Sequence, residues 1–161
     1  MEQSQSLLAR LTAESRFTSP GYLLATIGKT AEAWIAEAME PLDLLPREGA
    51  ALLVLRSHGE LTQPRLGDYL GADANSVVMI LKKLESRGLV ERRRDPADRR
   101  RHLIAITDRG TEIRSRVDDA VQQVESRLLR RLDDGEIATL RELLFLVDDV
   151  AGRHRRLGEG P

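Results

Sequence analysis

Apolar positions recur in steps of three and four over most of this chain, and switch to alternation in one short stretch. Ser19-Pro20 has the chemistry of a helix start, with Ser as N-cap and Pro in the first turn. Leu24, Ile27, Ala31, Trp34 and Ala38 then mark one face of an amphipathic helix that Pro41 ends. Pro46 opens a second helix through Ala50, Leu53 and Val54 to His58-Gly59. It is apolar on most sides, which predicts a buried central element. Leu61-Thr62 is short and extended, and Gln63 to Leu70 is a helix with Leu66 and Leu70 inward. Gly71-Ala72-Asp73 breaks it. A further helix runs from Ala74 to about Arg87, with Val77, Ile80, Leu81 and Leu84 inward and Gly88 as its stop.

The period then changes. Leu89 to Arg94 and His102 to Ile106 predict two strands joined through Asp95-Pro96-Ala97-Asp98, a β-hairpin with a long basic tip. Thr107 caps the next helix, striped by Ile113, Val117, Val121, Val124 and Leu128. Asp133 and Glu136 form a capping box for a last helix with Ile137, Leu140, Leu144, Val147 and Ala151. Leu7, Leu8 and Leu11 suggest a helical arm or a frayed tail at the start, and GRHRRLGEGP reads as a flexible end. The expected fold is mainly α with a small β-wing: a winged helix-turn-helix flanked by N- and C-terminal dimerisation helices. The expected divisions are an arm (1–18), N-terminal helices (19–60), a winged lobe (61–107), C-terminal helices (108–152) and a tail (153–161).

Composition narrows the function. The 161 residues suit one domain, and 41% hydrophobic with 32% charged residues suits a folded core with a solvated surface. There is no cysteine, so disulfides, thiol sensing and Cys-based zinc sites are excluded. No apolar run approaches the ~18 residues of a membrane span, and MEQSQSLLAR lacks a signal-peptide pattern, so a soluble, cytoplasmic chain is expected. Arg outnumbers Lys by 22 to 3, which can reflect a GC-rich coding genome as much as function.

The net charge of −1 hides a dipolar layout. Lys82 to Arg101 holds nine cations against four anions, whereas Thr111 to Asp149 holds six against ten. Phosphate binding depends on the local field, so a basic wing suits duplex DNA despite the balanced total. In a helix-turn-helix the second helix enters the major groove with its first turns against base edges. Here that helix begins Ala74-Asn75-Ser76, and its outward set is Asn75, Ser76, Met79, Lys82 and Lys83. Asn can bond adenine through two groups, Ser several base edges or a phosphate, and a thioether can touch a thymine methyl. Lys82, Lys83 and Arg65 are the expected phosphate contacts. An arginine on the narrow wing suits the negative minor groove of A/T-rich DNA.

Several motifs together carry a family resemblance: Gly88-Leu89-Val90, the run Asp95-Pro96-Ala97-Asp98-Arg99-Arg100, and Ile104-Ala105-Ile106-Thr107 with Gly110. With Val78 to Glu85 as recognition helix, residues 20 to 152 resemble the MarR (multiple antibiotic resistance regulator) family. The resemblance implies a homodimeric, ligand-responsive transcription regulator, most often a repressor, on a near-palindromic operator. It implies that Asp98 positions the wing tip and Arg100 reaches the minor groove; the residues alone also allow Asp98 as an ordinary turn residue and Arg99 or Arg101 as the phosphate clamp. Met79 departs from the polar residue that many members carry there, and the lack of cysteine excludes the peroxide-sensing branch.

The remaining candidates have bland readings beside sharp ones. Tyr22 and Trp34 suggest an effector pocket, but Trp34 on the apolar stripe also fits core or dimer packing. His58 at a helix end favours the helix dipole over a ligand role. His58, His102 and His154 have no metal-site spacing, and no cofactor is implied. The acid pairs Asp118-Asp119, Asp133-Asp134 and Asp148-Asp149 are sequence neighbours about 100° apart on a helix, so they do not converge as catalytic pairs. With no phosphate loop or nucleophile elbow either, an enzyme is not expected. The stripe from Ile113 to Leu128 is too long for one lobe to cover, which points to pairing across a two-fold axis rather than a monomeric three-helix packing. The rival functions are a protein-interaction module whose wing meets an acidic partner, and a transcription activator.

Overall fold

The computed structural model describes residues 19–150. The expected arm (1–18) and tail (153–161), with Ala151 and His154, lie outside the described residues. Helix α1 (Pro20–Met39) starts where the Ser19 hydroxyl accepts the Tyr22 N–H at 3.4 Å. It stops just before a 3-10 turn, Glu40–Leu42, that contains Pro41. Asp43 at φ 52° then reverses the chain into α2 (Pro46–His58). The Glu48 carboxylate accepts the Leu45 N–H at 2.9 Å and so closes the first turn of α2.

Strand β1 (Leu61–Thr62) leads into α3 (Gln63–Leu70) and α4 (Ala74–Ser86), followed by β2 (Val90–Arg94) and β3 (His102–Ile106). The expected hairpin is present, and the expected short extended segment Leu61-Thr62 joins it as a third strand. The sheet order is β1-β3-β2, all antiparallel, with Leu61 and Arg92 on either side of Ile104. Leu52 and Leu55 of α2, Leu66 of α3, Val77, Leu81 and Leu84 of α4, Leu89 and Ile104 are all essentially inaccessible and form one core. Helix α2 is thus the central element, as its apolar circumference implies.

The C-terminal helices are α5 (Asp108–Leu129) and α6 (Asp134–Val150). Thr107 joins α5 to the wing. Its hydroxyl donates to the Gly88 carbonyl (2.7 Å) and accepts the Gly110 N–H (3.0 Å), while its own N–H donates to the Leu89 carbonyl (3.1 Å). A Cβ on Gly110 would stand 2.0 Å from the Leu89 oxygen, so no side chain fits there. Val117 of α5 is fully buried. The expected capping box starts α6: Asp133 N–H to Glu136 at 3.0 Å and Glu136 N–H to Asp133 at 2.9 Å. Yet none of the described α6 side chains is buried, and Leu143, Leu144, Phe145, Leu146 and Val147 stand exposed. Among the described residues no helix is long and apolar enough to cross a membrane.

Candidate nucleic-acid interface

The approach to α4 is set by side-chain caps. Gly71 ends α3 in the left-handed region (φ 57°), which a residue without Cβ enters at no steric cost. Asp73 then caps α4. One carboxylate oxygen accepts the Asn75 and Ser76 N–H groups, both at 3.0 Å, and the other accepts the Ser76 hydroxyl at 2.6 Å. These bonds, the Ser76 hydroxyl foremost, hold the Asp73 carboxyl below its usual range. Val77, Ile80, Leu81 and Leu84 fix the helix to the core. Its opposite side presents Asn75, Val78, Met79 and Lys82, all exposed, at spacings of three, four and seven residues along one strip. Met79 is 66% exposed.

Three expected contacts have local partners. Ser76 is half-buried and its hydroxyl proton goes to Asp73, which leaves the oxygen only accepting capacity. Lys83 turns towards α2, with its ammonium 3.3 Å from the buried Glu48 carboxylate. Its side chain stays 40% exposed, but its ammonium is engaged by the buried Glu48 carboxylate rather than free like that of Lys82. Arg65, half-buried in the first turn of α3, lays its guanidinium over the Tyr69 ring at 5.5 Å.

The wing separates a neutralised base from a cationic tip. At the base, Arg92 donates to Glu85 of α4 at 2.6 Å and to Gln63 at 3.3 Å. Arg93 donates to Glu60 at 2.9 Å and to Glu91 at 2.7 Å; the Glu91 carboxylate, with Glu60, holds the Arg93 pKa above its ordinary value. Arg87 donates to the Leu42 carbonyl at 2.9 Å. At the tip, Asp95 accepts the Ala97 N–H (2.8 Å) and Asp98 the Arg100 N–H (3.0 Å). The Asp98 carbonyl accepts the Arg101 N–H at 2.9 Å. The loop is therefore closed by its own backbone and two carboxylates, which leaves the arginine side chains outside. Lys82, Arg94, Arg99, Arg100 and Arg101 are exposed and have no partner among the described residues. The other four cations of the stretch, Lys83, Arg87, Arg92 and Arg93, hold the lobe together.

Comparison with known proteins agrees with this geometry. A family model described as MarR family matches residues 42–101. The chain is 30% identical to the uncharacterized HTH-type transcriptional regulator YwoH of Bacillus subtilis, over 61% of this chain and 71% of that one. The chain belongs to the MarR family. Two other curated relatives are matched over only about half of their length, 56% and 55%. A mutant MarR from E. coli complexed with operator DNA superposes with a TM-score of 0.71 at 29% identity, covering 79% of this chain and 91% of that one. CouR from Rhodococcus jostii RHA1 bound to p-coumaroyl-CoA superposes at 0.73 and 29%, covering 79% and 90%.

Within this MarR-family lobe, sequence reasoning missed two features. Val78 is 43% exposed beside Met79, although its apolar, β-branched character reads as core. Asp73 is the α4 cap; an acid directly before Ala-Asn-Ser was the available signal. The three effector candidates are not brought together. Trp34 lies half-buried under the Arg127 guanidinium, 3.8 Å from its ring centre. His58, at the end of α2, stacks on Tyr69 of α3 at 4.1 Å. Tyr22 is exposed on α1, twelve residues and roughly 18 Å along the helix from Trp34. Each of Trp34 and His58 already spends its ring face on a neighbour. A cleft of about 520 Å³ instead runs beside Pro46, Arg47, Asn75 and Met79, and none of the three lines it.

Proposed function

We propose that residues 61–107 are a sequence-reading lobe for duplex DNA, and that two copies of the chain act together as a transcription repressor on a near-palindromic operator. One observation carries the reading: partner-free cations at the wing tip are tied, through the Arg92–Glu85 bond, to a helix whose exposed strip is ready for base edges. Asn75 and Met79 face the bases, and Ser76 accepts from an adjacent donor. Lys82 and Arg65 hold phosphates, joined by Arg99. Arg100 enters the minor groove, on a tip oriented by Asp98. Lys83 acts from within the lobe.

Dimerisation and part of the core fall to residues 19–60, and dimerisation to residues 108–152. Leu23, Leu24 and Ile27 on α1 and Leu143, Leu144 and Val147 on α6 are exposed apolar side chains that a second copy would cover. Such pairing sets two recognition helices about 34–36 Å apart, one DNA turn. A small-molecule effector fits the cleft beside Asn75 and Met79, where it would act on the reading strip directly. The ligand-bound relative supports an effector of this kind. The cytoplasm, at the nucleoid, is the compartment where such a lobe meets its duplex.

Selection of bound sequences from a randomised duplex pool, followed by anisotropy titration, tests this reading. The Arg100→Ala chain is expected to bind the selected site more weakly while its circular dichroism and melting stay unchanged. Unaltered affinity removes Arg100 from the interface, and failure to select any sequence rejects DNA reading in favour of a protein-interaction role.

A further inference from the structure

Val78 and Met79 put two large apolar side chains in water, 43% and 66% exposed, in the middle of the strip that α4 turns away from its core. Nothing in the fold requires this. The core contacts of the helix are made by Val77, Ile80, Leu81 and Leu84, and a polar residue at either position would be better solvated. The strip is ordered by chemistry: an amide at Asn75, two apolar groups at Val78 and Met79, then an ammonium at Lys82 with no partner among the described residues. In the major groove only one base-pair feature is apolar, the C5-methyl of thymine. Guanine offers acceptors alone, and neither side chain can donate to them.

We infer that Val78 and Met79 form a thymine-methyl reader, and that the operator carries thymine one or two base pairs from the base that Asn75 contacts. The inference rests on the DNA reading above and adds what the lobe selects. The separation follows from the helix. Val78 and Met79 lie three and four residues beyond Asn75, roughly 4.5–6 Å along the axis. Base pairs follow one another at about 3.4 Å. The amide therefore suits adenine at the leading end, the apolar pair suits a thymine methyl one or two steps on, and Lys82 closes the strip on a phosphate. Each half-site is then A/T-rich at its centre, without any arginine-to-guanine contact from α4.

The test uses the full chain and the duplex obtained by selection. Each thymine of that duplex is replaced, one position at a time, by deoxyuridine, which removes the methyl and leaves every hydrogen-bonding group in place. Affinity is measured for the wild type and for Val78→Ala and Met79→Ala. Both substitutions are exposed and favour helix, so the fold is retained. At one or two positions per half-site, loss of the methyl is expected to weaken the wild type about fourfold, the effect of one buried methyl group. At those positions the penalty should vanish in Met79→Ala or Val78→Ala. Uniform tolerance of deoxyuridine overturns the inference and leaves the DNA reading intact. A penalty that persists unchanged in both variants also overturns it, because the methyl then acts through duplex shape. Failure to select a duplex defeats the DNA reading and this inference together.

Discussion

The winged lobe and the outer helices meet the same demand, to remove apolar surface from water, in opposite ways. In the lobe, α2, α3, α4 and the sheet close over Leu52, Leu55, Leu66, Leu81, Leu84 and Ile104, and the base of the wing is neutralised by Glu85, Glu60 and Glu91. What stays exposed there is an ordered strip and a cationic tip. On α6, by contrast, Leu143, Leu144, Phe145, Leu146 and Val147 remain 40–68% exposed. With Met39 and Val117 from the outer helices the core around the lobe is closed, and on the proposed reading the strip and the tip face a polyanion. Of the outer helices, α5 buries Val117 and Val124 within the chain, whereas α1 and α6 keep exposed apolar side chains that, on the proposed reading, a second copy covers.

Perturbations that act on one region and spare the other test this contrast. The largest effect is expected at the joint between them. Gly110→Ala forces a Cβ against the Leu89 carbonyl at 2.0 Å, so α5 must leave the sheet. A loss of about 3 kcal/mol or more is expected by urea unfolding. A loss below 1 kcal/mol would mean that Thr107 and Gly110 do not clamp the wing. Next comes the apolar face. Leu144→Glu should weaken self-association by about 2 kcal/mol or more, seen as a halved mass in sedimentation, with wing-tip cations unaffected. An unchanged mass would place the dimer contact elsewhere.

The two lysines of α4 sharpen the contrast inside the lobe. Lys83→Ala strips the counter-charge from buried Glu48 and should cost about 1–3 kcal/mol of stability. Lys82→Ala should change stability by no more than about 0.5 kcal/mol and reduce the salt slope of DNA binding by about one. The reverse pattern would return Lys83 to the phosphate contacts. The smallest effect concerns acid. The Asp73 carboxyl is held below its usual range by Ser76 and Asn75, so it stabilises α4 fully above about pH 4, the ordinary aspartate range. That contribution falls away as the pH drops towards its lowered folded value. Asp73→Ala should melt earlier at neutral pH and show a shallower acid dependence than the wild type. Identical acid profiles would show that the cap contributes nothing.

Most of the fold was legible because its boundaries are chemical. Ser19, Thr107 and the Asp133–Glu136 pair each announce a helix start through a group that satisfies free N–H donors, and Pro46 announces one by having no N–H to satisfy. The strands of the wing were legible from the change of period. What escaped was non-local. The short extended segment Leu61-Thr62 is legible, but not its pairing with Leu103 and Ile104 of β3, 41 and 43 residues away. Lys83 is polar on a surface helix, so a helical wheel sends it outward. Only the burial of Glu48 on a different helix brings it in. Adjacent Val77 and Val78 present the opposite problem, since both look like core and one helix face can bury only one of them. Tyr22, Trp34 and His58 are legible only as residue types, whereas a pocket depends on which ring faces remain unused.

Titration of the full chain against the selected duplex and a scrambled duplex of equal composition, near 0.15 M salt, tests the central claim most directly. A preference of about a thousandfold or more for the selected site, saturating at two chains per duplex, is the expected result. Equal affinity for both duplexes, or saturation by a single chain, would contradict it.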